Sequence, residues 1–439
     1  MANRIYLCLA HMSEAGLEQK YIQEAFDTNW VAPLGPNVNG FEEDLKAFVD
    51  QGKEVVALTT GTAAVHLSLI ACGVEPGDEV ITQSFTFCAS AHPVTYLGAT
   101  PVFVDSEKDT WNMDPDLLEE AIKDRIAKTG KKPKVIMPVA LYGMPYQIDR
   151  ILEIAKRYDI PVIEDAAEGF GSRYDGQVLG TFGRYGILSF NGNKMITTSG
   201  GGALICPNKE EGERVMWYAT QARESYPYYQ HETIGYNYRM SNICAGIGRG
   251  QMTIVNEHIA HHQHVHQLYV ELFSKIDGIE VHCQPANGRY ASNYWLTSIT
   301  IDENLKIKGQ ENAYKEIITS PVGGVPAVIH AASSARTDCQ PNDNVEALRM
   351  ALEKAGIESR PLWKPMHKQP VYCRTNEKLG IRNEELSHGI IRQTSATSVA
   401  YVNGVSENIF KKGMCLPAGP WVKDEDVKRI VETIKANII

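Results

Sequence analysis

Four short stretches hold residues that could do chemistry together. In SFNGNKMITTSGGG (189–202) one lysine, Lys194, stands among glycines, asparagines and hydroxyls, with the apolar runs GILSF before it and GALIC after. An amine screened from bulk water is neutral more readily than an exposed one, and a neutral amine can attack a carbonyl carbon. VIEDAAEG (162–169) is an apolar strand pattern that runs into Glu164 and Asp165. An acid at the carboxyl end of a strand in an open α/β sheet lies where ligands bind, and a carboxylate there favours a fixed cation such as a protonated ring nitrogen. TTGTAA (59–64) joins a strand to a helix, so its amides and the Thr62 hydroxyl suit a phosphate. GYNYRMSN (235–242) packs two tyrosines, two asparagines and an arginine into eight residues, a hydrogen-bonding density that needs a ligand or a partner surface if it is buried. Each stretch also has a plainer reading: a surface lysine, an acid capping the next helix, an ordinary helix cap, a polar loop.

The elements that must position these residues follow from periodicity. From about residue 54 to 206, apolar β-rich runs (EVVAL, DEVIT, PVFV, PKVIMPV, IPVIE, GALIC) alternate with helical patterns, which predicts an α/β domain around a mostly parallel sheet covered on both faces. A long helix is expected from about 243 to 276. Beyond it NYWLTSITI reads as a strand, VEALRMALEKAGI as a helix with Gly356 at its C-terminal cap, and DEDVKRIVETIKANI as a final helix. The division expected is a large domain over 1–259 and a smaller C-terminal α+β domain over 260–439. No strand-linked G-x-G-x-x-G occurs; the glycines of GIGRG (246–250) lie in a helical pattern and read as close packing, not as a nucleotide loop.

With 43 basic and 53 acidic residues among 439, the chain carries a net charge of -10, which disfavours nonspecific binding to nucleic acid or an anionic membrane. Nine scattered cysteines without a Cys-x-x-Cys pair read as reduced thiols. The expectation is a soluble, cytoplasmic protein with small-molecule partners, no nucleic acid and no membrane.

A phosphate cradle, an acid for a ring nitrogen and a lysine for an aldehyde are together the requirements of pyridoxal 5'-phosphate (PLP). The motifs WVAPLGPNVNGFEEDL, TTGTAAVHLSL, PGDEVITQSFTFCAS, YLGATPVFVD, VIEDAAEGFGS, SFNGNKMITTSGGGALI, GYNYRMSN, SRPLWKPMH and MCLPAG resemble, in order and wording, the DegT/DnrJ/EryC1/StrS sugar aminotransferases over nearly the whole chain. The resemblance implies the fold-type I, aspartate aminotransferase-like architecture. It makes Lys194 the catalytic lysine that carries PLP and then moves the proton of the amino-bearing carbon. It pairs Asp165 with the pyridinium nitrogen, stacks Phe87 on the ring, and sets Gly61, Thr62, Ala63, Ser189 and Asn193 around the cofactor. Asn237 is implied to reach the phosphate of a neighbouring subunit, so that a homodimer shares its sites. Glu168 stands where many members carry Gln or His beside the ring.

NGNKMITTSGGG, TQARE and RPLWKPMH are similar to the 4-aminotransferases of the UDP-N-acetylbacillosamine type. That likeness implies transfer from glutamate to C4 of a UDP-linked 4-keto-6-deoxy-N-acetylhexosamine, with 2-oxoglutarate released. Arg360, Trp363 and His367, together with Asn293 and Trp295, offer cationic groups and flat surfaces for the diphosphate and sugar. Alternatives are a C3 or a dTDP- or GDP-linked keto-sugar as acceptor, or a regulatory scaffold without turnover. The stretch between about 302 and 344 reads as an inserted loop. His258, His262 and His266 share one helical face; lacking an acid or cysteine ligand at an obvious spacing, they read as a solvated or interfacial face and not as a zinc site, and no metal is expected.

Overall fold

The computed structural model describes residues 4–314, 339–373, 382–386 and 389–439. Most of the stretch read as an inserted loop lies outside these residues. Seven strands from the first half of the chain build the body of the large sheet: β1 (Glu54–Leu58), β2 (Glu79–Gln83), β3 (Thr100–Val104), β4 (Val135–Met137), β5 (Ile163–Asp165), β6 (Tyr185–Ser189) and β7 (Gly202–Cys206). Their order is β3-β2-β4-β5-β6-β7-β1, with β4 and β5 joined through the bridges Ile136↔Val162 and Val139↔Asp165. β3, β2, β4, β5 and β6 run parallel, while β7 is antiparallel to both neighbours. The strands are buried along nearly their whole length, as the continuous apolar runs require of a sheet covered on both faces.

Helix α1 (Gly61–Ala71) follows β1, and α2 (Asn242–Met252) and α3 (Val255–Phe273) lead away from the sheet. The single long helix expected over 243–276 is broken at Thr253 and Ile254. A run of three β-branched residues, Thr253, Ile254 and Val255, weakens the helix there, and the Thr253 hydroxyl donates to the Gly250 carbonyl at 2.6 Å. The glycines of α2 do pack closely: a Cβ on Gly248 would stand 2.7 Å from the Phe41 ring, and one on Gly250 2.6 Å from Glu18.

Strands β8 (Ile279–Val281), β9 (Thr297–Ile301), β10 (Arg360–Pro361), β11 (Arg382–Glu385), β12 (Ile391–Thr394), β13 (Val399–Val402) and β14 (Gly413–Leu416) belong to the second half of the chain. Four of them form an antiparallel sheet of order β8-β9-β14-β10. Its core, with Ile299, Ile301 and Met414, also takes Val265, Tyr269 and Phe273 from α3, Leu348 and Leu352 from α4 (Asp343–Lys354), and Ile430 and Ile434 from α5 (Asp424–Asn437). The other three do not stay there. β13 pairs in parallel with β3, Val399 opposite Val102, and β12 and β11 continue outward from it. A division at residue 260 therefore separates the two sheets incompletely: the large sheet takes its outer three strands from beyond residue 380. Largely buried polar side chains hold this return in place, with the half-buried Asp124 accepting from Arg392 at 2.6 Å and from the Tyr401 hydroxyl at 2.5 Å.

Candidate active site

The carboxyl ends of β1, β5 and β6 open into one cavity of about 230 Å³. After β1, Thr60 is extended (φ -158°, ψ 158°) and caps α1, its hydroxyl accepting from the Ala63 amide at 3.0 Å. The Ala63 amide is thus consumed by the cap, and it is the first two helical residues, Gly61 and Thr62, that line the cavity. Ser189, at the end of β6, lines it beside them. A Cβ on Gly61 would stand 3.1 Å from the Ser189 Cβ, and a Cβ on Gly202 would stand 2.4 Å from the Gly61 amide nitrogen, so the glycines let the helix start lie against β6 and β7.

Strand β5 turns Glu164 and Asp165 to opposite faces, as alternation demands. Asp165 is 5% exposed. The Ser90 hydroxyl donates to its Oδ2 at 2.6 Å and the Ala167 amide to its Oδ1 at 3.1 Å; Ser90 is in turn 2.8 Å from the Thr86 hydroxyl. Burial raises the Asp165 carboxyl above its ordinary range, against the pull of Ser90, Ala167 and the charge of Lys194. Glu168, three residues further, is also buried and also raised, chiefly by burial. It accepts from the Tyr142 amide at 2.7 Å and the Trp363 indole at 3.3 Å, and lies 3.6 Å from Lys194 Nζ. Tyr142 makes its bond from a left-handed backbone (φ 53°, ψ 20°), uncommon for an aromatic residue, and its hydroxyl accepts from the Trp363 amide at 2.8 Å.

Lys194 follows β6 in a tight turn, its amide donating to the Asn191 carbonyl at 3.0 Å. Its side chain is 13% exposed, with Nζ 4.1 Å from the centroid of the Trp295 ring. Trp295 is fixed from its other end, its indole donating to the Asn193 carbonyl at 2.6 Å. Phe87, 49% exposed, and Trp363 flank the cavity with ring centroids 5.2 Å apart.

Of the residues singled out in the sequence, Gly61, Thr62, Phe87, Asp165, Glu168, Ser189, Asn193, Lys194, Trp295 and Trp363 meet on this cavity. Five do not. Ala63 lies behind the cap. Asn237 is exposed, its backbone bridged to Thr220. Asn293 is fully buried: its amide donates to the carbonyls of Glu168 and Phe170, and its oxygen accepts from the Trp295 amide at 2.9 Å, so it scaffolds the site. Arg360 sits in β10 and pairs with Glu358 at 2.8 Å. His367 is buried 2.6 Å from the Ser84 hydroxyl, where burial pushes its pKa down. Residues that went unnoticed are Thr60, Thr86, Ser90 and Tyr142. The threonine before GTAA could have marked the cap; nothing in TQSFTFCAS tells which hydroxyl reaches an acid 75 residues on.

The donor set fits PLP. Asp165 uses two of its roughly four acceptor positions, which leaves room for a ring N–H; the helix start and Ser189 suit a phosphate, and a buried lysine shares their cavity. Among the described residues no cluster of three or more His, Cys, Asp or Glu could hold a metal, and no helix is long and apolar enough to cross a membrane.

Residues 13–330 match the family described as the DegT/DnrJ/EryC1/StrS aminotransferase family. The chain is 40% identical over 434 residues to EpsN of Bacillus subtilis (strain 168), named as a candidate pyridoxal phosphate-dependent aminotransferase, covering 99% of this chain and 96% of that one. It is 31% identical over 431 residues to the GDP-perosamine synthase of Escherichia coli O157:H7, covering 98% of each. Among solved structures, a DegT DnrJ EryC1 StrS aminotransferase from Brucella abortus superposes with a TM-score of 0.76 at 25% identity, covering 96% of this chain and 95% of that one.

Proposed function

The chain belongs to the DegT/DnrJ/EryC1/StrS aminotransferase family of PLP-dependent nucleotide-sugar aminotransferases, and on that premise we propose that it moves an amino group from glutamate to C4 of a UDP-linked 4-keto-6-deoxy-N-acetylhexosamine. The observation that carries the reading is the meeting of Lys194, Asp165 and the Gly61–Thr62 helix start on one cavity. When bound there, PLP supplies an electron-withdrawing ring and an aldehyde carbon through which an amino group is exchanged. Lys194 Nζ would hold the aldehyde carbon and, when free, would carry a proton from the carbon that bears the amino group to the carbon that had been the aldehyde. Asp165 holds the ring nitrogen's positive charge in a site dry enough for that pairing to matter. The Gly61 and Thr62 amides with the Thr62 and Ser189 hydroxyls bind the phosphate. Glu168 keeps Nζ turned toward the cavity, and Trp295 closes the floor beneath it against water.

In this reading two copies complete the sites. Asn237, exposed outside its own cavity, serves the neighbour's phosphate, and Phe87 is covered by ligand. The nine cysteines, all free, suit the cytoplasm. A GDP-linked keto-sugar is the second reading, favoured by the likeness to GDP-perosamine synthase.

The test is an absorbance spectrum of the PLP-loaded protein. Glutamate is expected to move the cofactor's visible band to shorter wavelength in the wild type and not in Lys194→Ala, whose turnover falls by about 10⁴-fold, the upper end for a positioned acid–base group. Adding the UDP-linked ketone should then restore the original band. Recovery with the GDP-linked ketone alone would reassign the nucleotide, and a band indifferent to glutamate would reject that donor.

A further inference from the structure

Three histidines on α3 that read from sequence as a solvated or interfacial helix face are buried: His258 and His266 at 4% exposure and His262 at 0%. Their imidazoles meet the two segments that hold Lys194. His258 Nδ1 lies 3.0 Å from the carbonyl of Met195, the residue after the lysine. His262 Nδ1 lies 3.3 Å from the carbonyl of Tyr294, the residue before Trp295. His266 stacks flat on the Tyr294 ring, centroids 3.5 Å apart and planes 7° from parallel. Since Trp295 donates to the Asn193 carbonyl at 2.6 Å, the carbonyls on both sides of Lys194 are pinned, one by His258 and one by the indole that His262 supports through the backbone.

A carbonyl only accepts, so His258 and His262 must each carry a proton on Nδ1. His258 Nε2 then holds a lone pair, which the His11 ring meets at 3.4 Å. Among the described residues His262 Nε2 is buried without a partner, a cost that an apolar side chain at this position would avoid. The far half of α3 does avoid it, packing Val265, Tyr269 and Phe273 into the small-domain core. Burial presses His262 to about 3 and His266 to about 4, so both stay neutral. Tyr294 is itself left-handed at φ 46°, a backbone state that needs holding.

We propose that His258 and His262 are positioning residues for Lys194, fixing the height and direction of its side chain in the cavity through the Met195 carbonyl and through Tyr294–Trp295. The inference rests on Lys194 as the cofactor-bearing residue. It is tested by the rate at which full-length protein stripped of cofactor captures PLP, followed by the growth and wavelength of the visible band, with melting temperature measured alongside. His258→Leu removes the donor, whereas His258→Asn places an amide N–H near the position of Nδ1. The leucine variant is expected to capture PLP about 10- to 100-fold more slowly and with a displaced band. The asparagine variant should return both close to wild type, and His262→Leu with His262→Asn should repeat the pattern more weakly. If His258→Leu does not fold, His258→Gln, whose amide falls near Nε2 instead, takes its place and should be slow where Asn is fast. Equal rates and bands in the wild type and the donor-free variant, or Asn as impaired as Leu or Gln, would overturn the positioning role. A wild type that forms no lysine-dependent band would overturn the assignment of Lys194 with it.

Discussion

Glu164 and Asp165 are neighbours on β5, both buried and both raised by burial, yet they open onto regions with different tasks. On one face Glu164 accepts from three backbone amides, Gly180 at 3.1 Å and Phe182 and Gly183 at 2.6 Å each, and so ties the 180–183 turn to the sheet. On the other face Asp165 has one hydroxyl, one amide and a cavity in front of it. The direction of the pKa shift does not tell the two apart; the unfilled acceptor positions do. A buried acid whose lone pairs are spoken for is scaffold, and one facing a void with capacity left is waiting for a cation.

Within this pair the largest effect should come from Asp165→Asn, which removes the charge and keeps the shape. Transamination is expected to fall about 10²- to 10³-fold by steady-state assay while the melting temperature holds or rises, because an uncompensated buried charge has gone. A variant that melted early but turned over normally would reverse the two roles. Glu164→Gln should do the opposite. It sets an amide against N–H donors, costing about 2–3 kcal/mol in denaturant unfolding, with PLP capture per folded molecule unchanged.

Glu42 sharpens the same contrast away from the cavity. Burial pushes it up to about 7, although the Ala57 amide donates to it at 2.9 Å. Between the ordinary carboxyl value near about 4.3 and about 7 the folded chain holds a proton that the unfolded chain has released, so this contribution is complete at low pH and is lost as pH rises through 7. Glu42→Gln keeps the acceptor and drops the titration; its stability should be level across that window and about 1–2 kcal/mol above wild type at pH 8. Parallel pH curves would mean that Glu42 is solvated in solution. The smallest effect is expected from Trp295→Phe, which keeps the floor under Lys194 but loses the bond to the Asn193 carbonyl. A loss of about 1 kcal/mol, read as a several-fold slower PLP capture, is anticipated.

What sequence made legible here is what backbone builds. The strand-to-helix turn at Thr60–Thr62, the acid at the end of β5 and the lysine after β6 are local patterns, and each lies at a strand's carboxyl end as the fold class requires. What stayed hidden is convergence of side chains. Ser90 reaches Asp165 across 75 residues and Trp363 reaches Glu168 across 195, and no spacing encodes either. SNYWL looked like a sugar-binding motif because Asn and Trp are polar and flat. In the fold Asn293 spends its amide on backbone, and Trp295 serves the lysine. The histidine face stayed undecided between solvent and an interface for the same reason: period four fixes a face, and the face's surroundings come from elsewhere in the chain. The return of β11–β13 to the large sheet was equally out of reach, since an apolar VAYV run pairs as well with one edge as with another.

That return orders events during synthesis. β3 is completed at Val104, but the strand that covers its outer edge begins at Val399, so nearly three hundred residues must be made before the edge is closed. Until then the nascent chain carries a buried-type strand, TPVFV, with one side unpaired, the kind of edge that recruits a wrong partner. Closing that edge therefore waits on a strand from near the far end of this sequence, which makes residues 399–402 a control point for how much of the large sheet forms correctly.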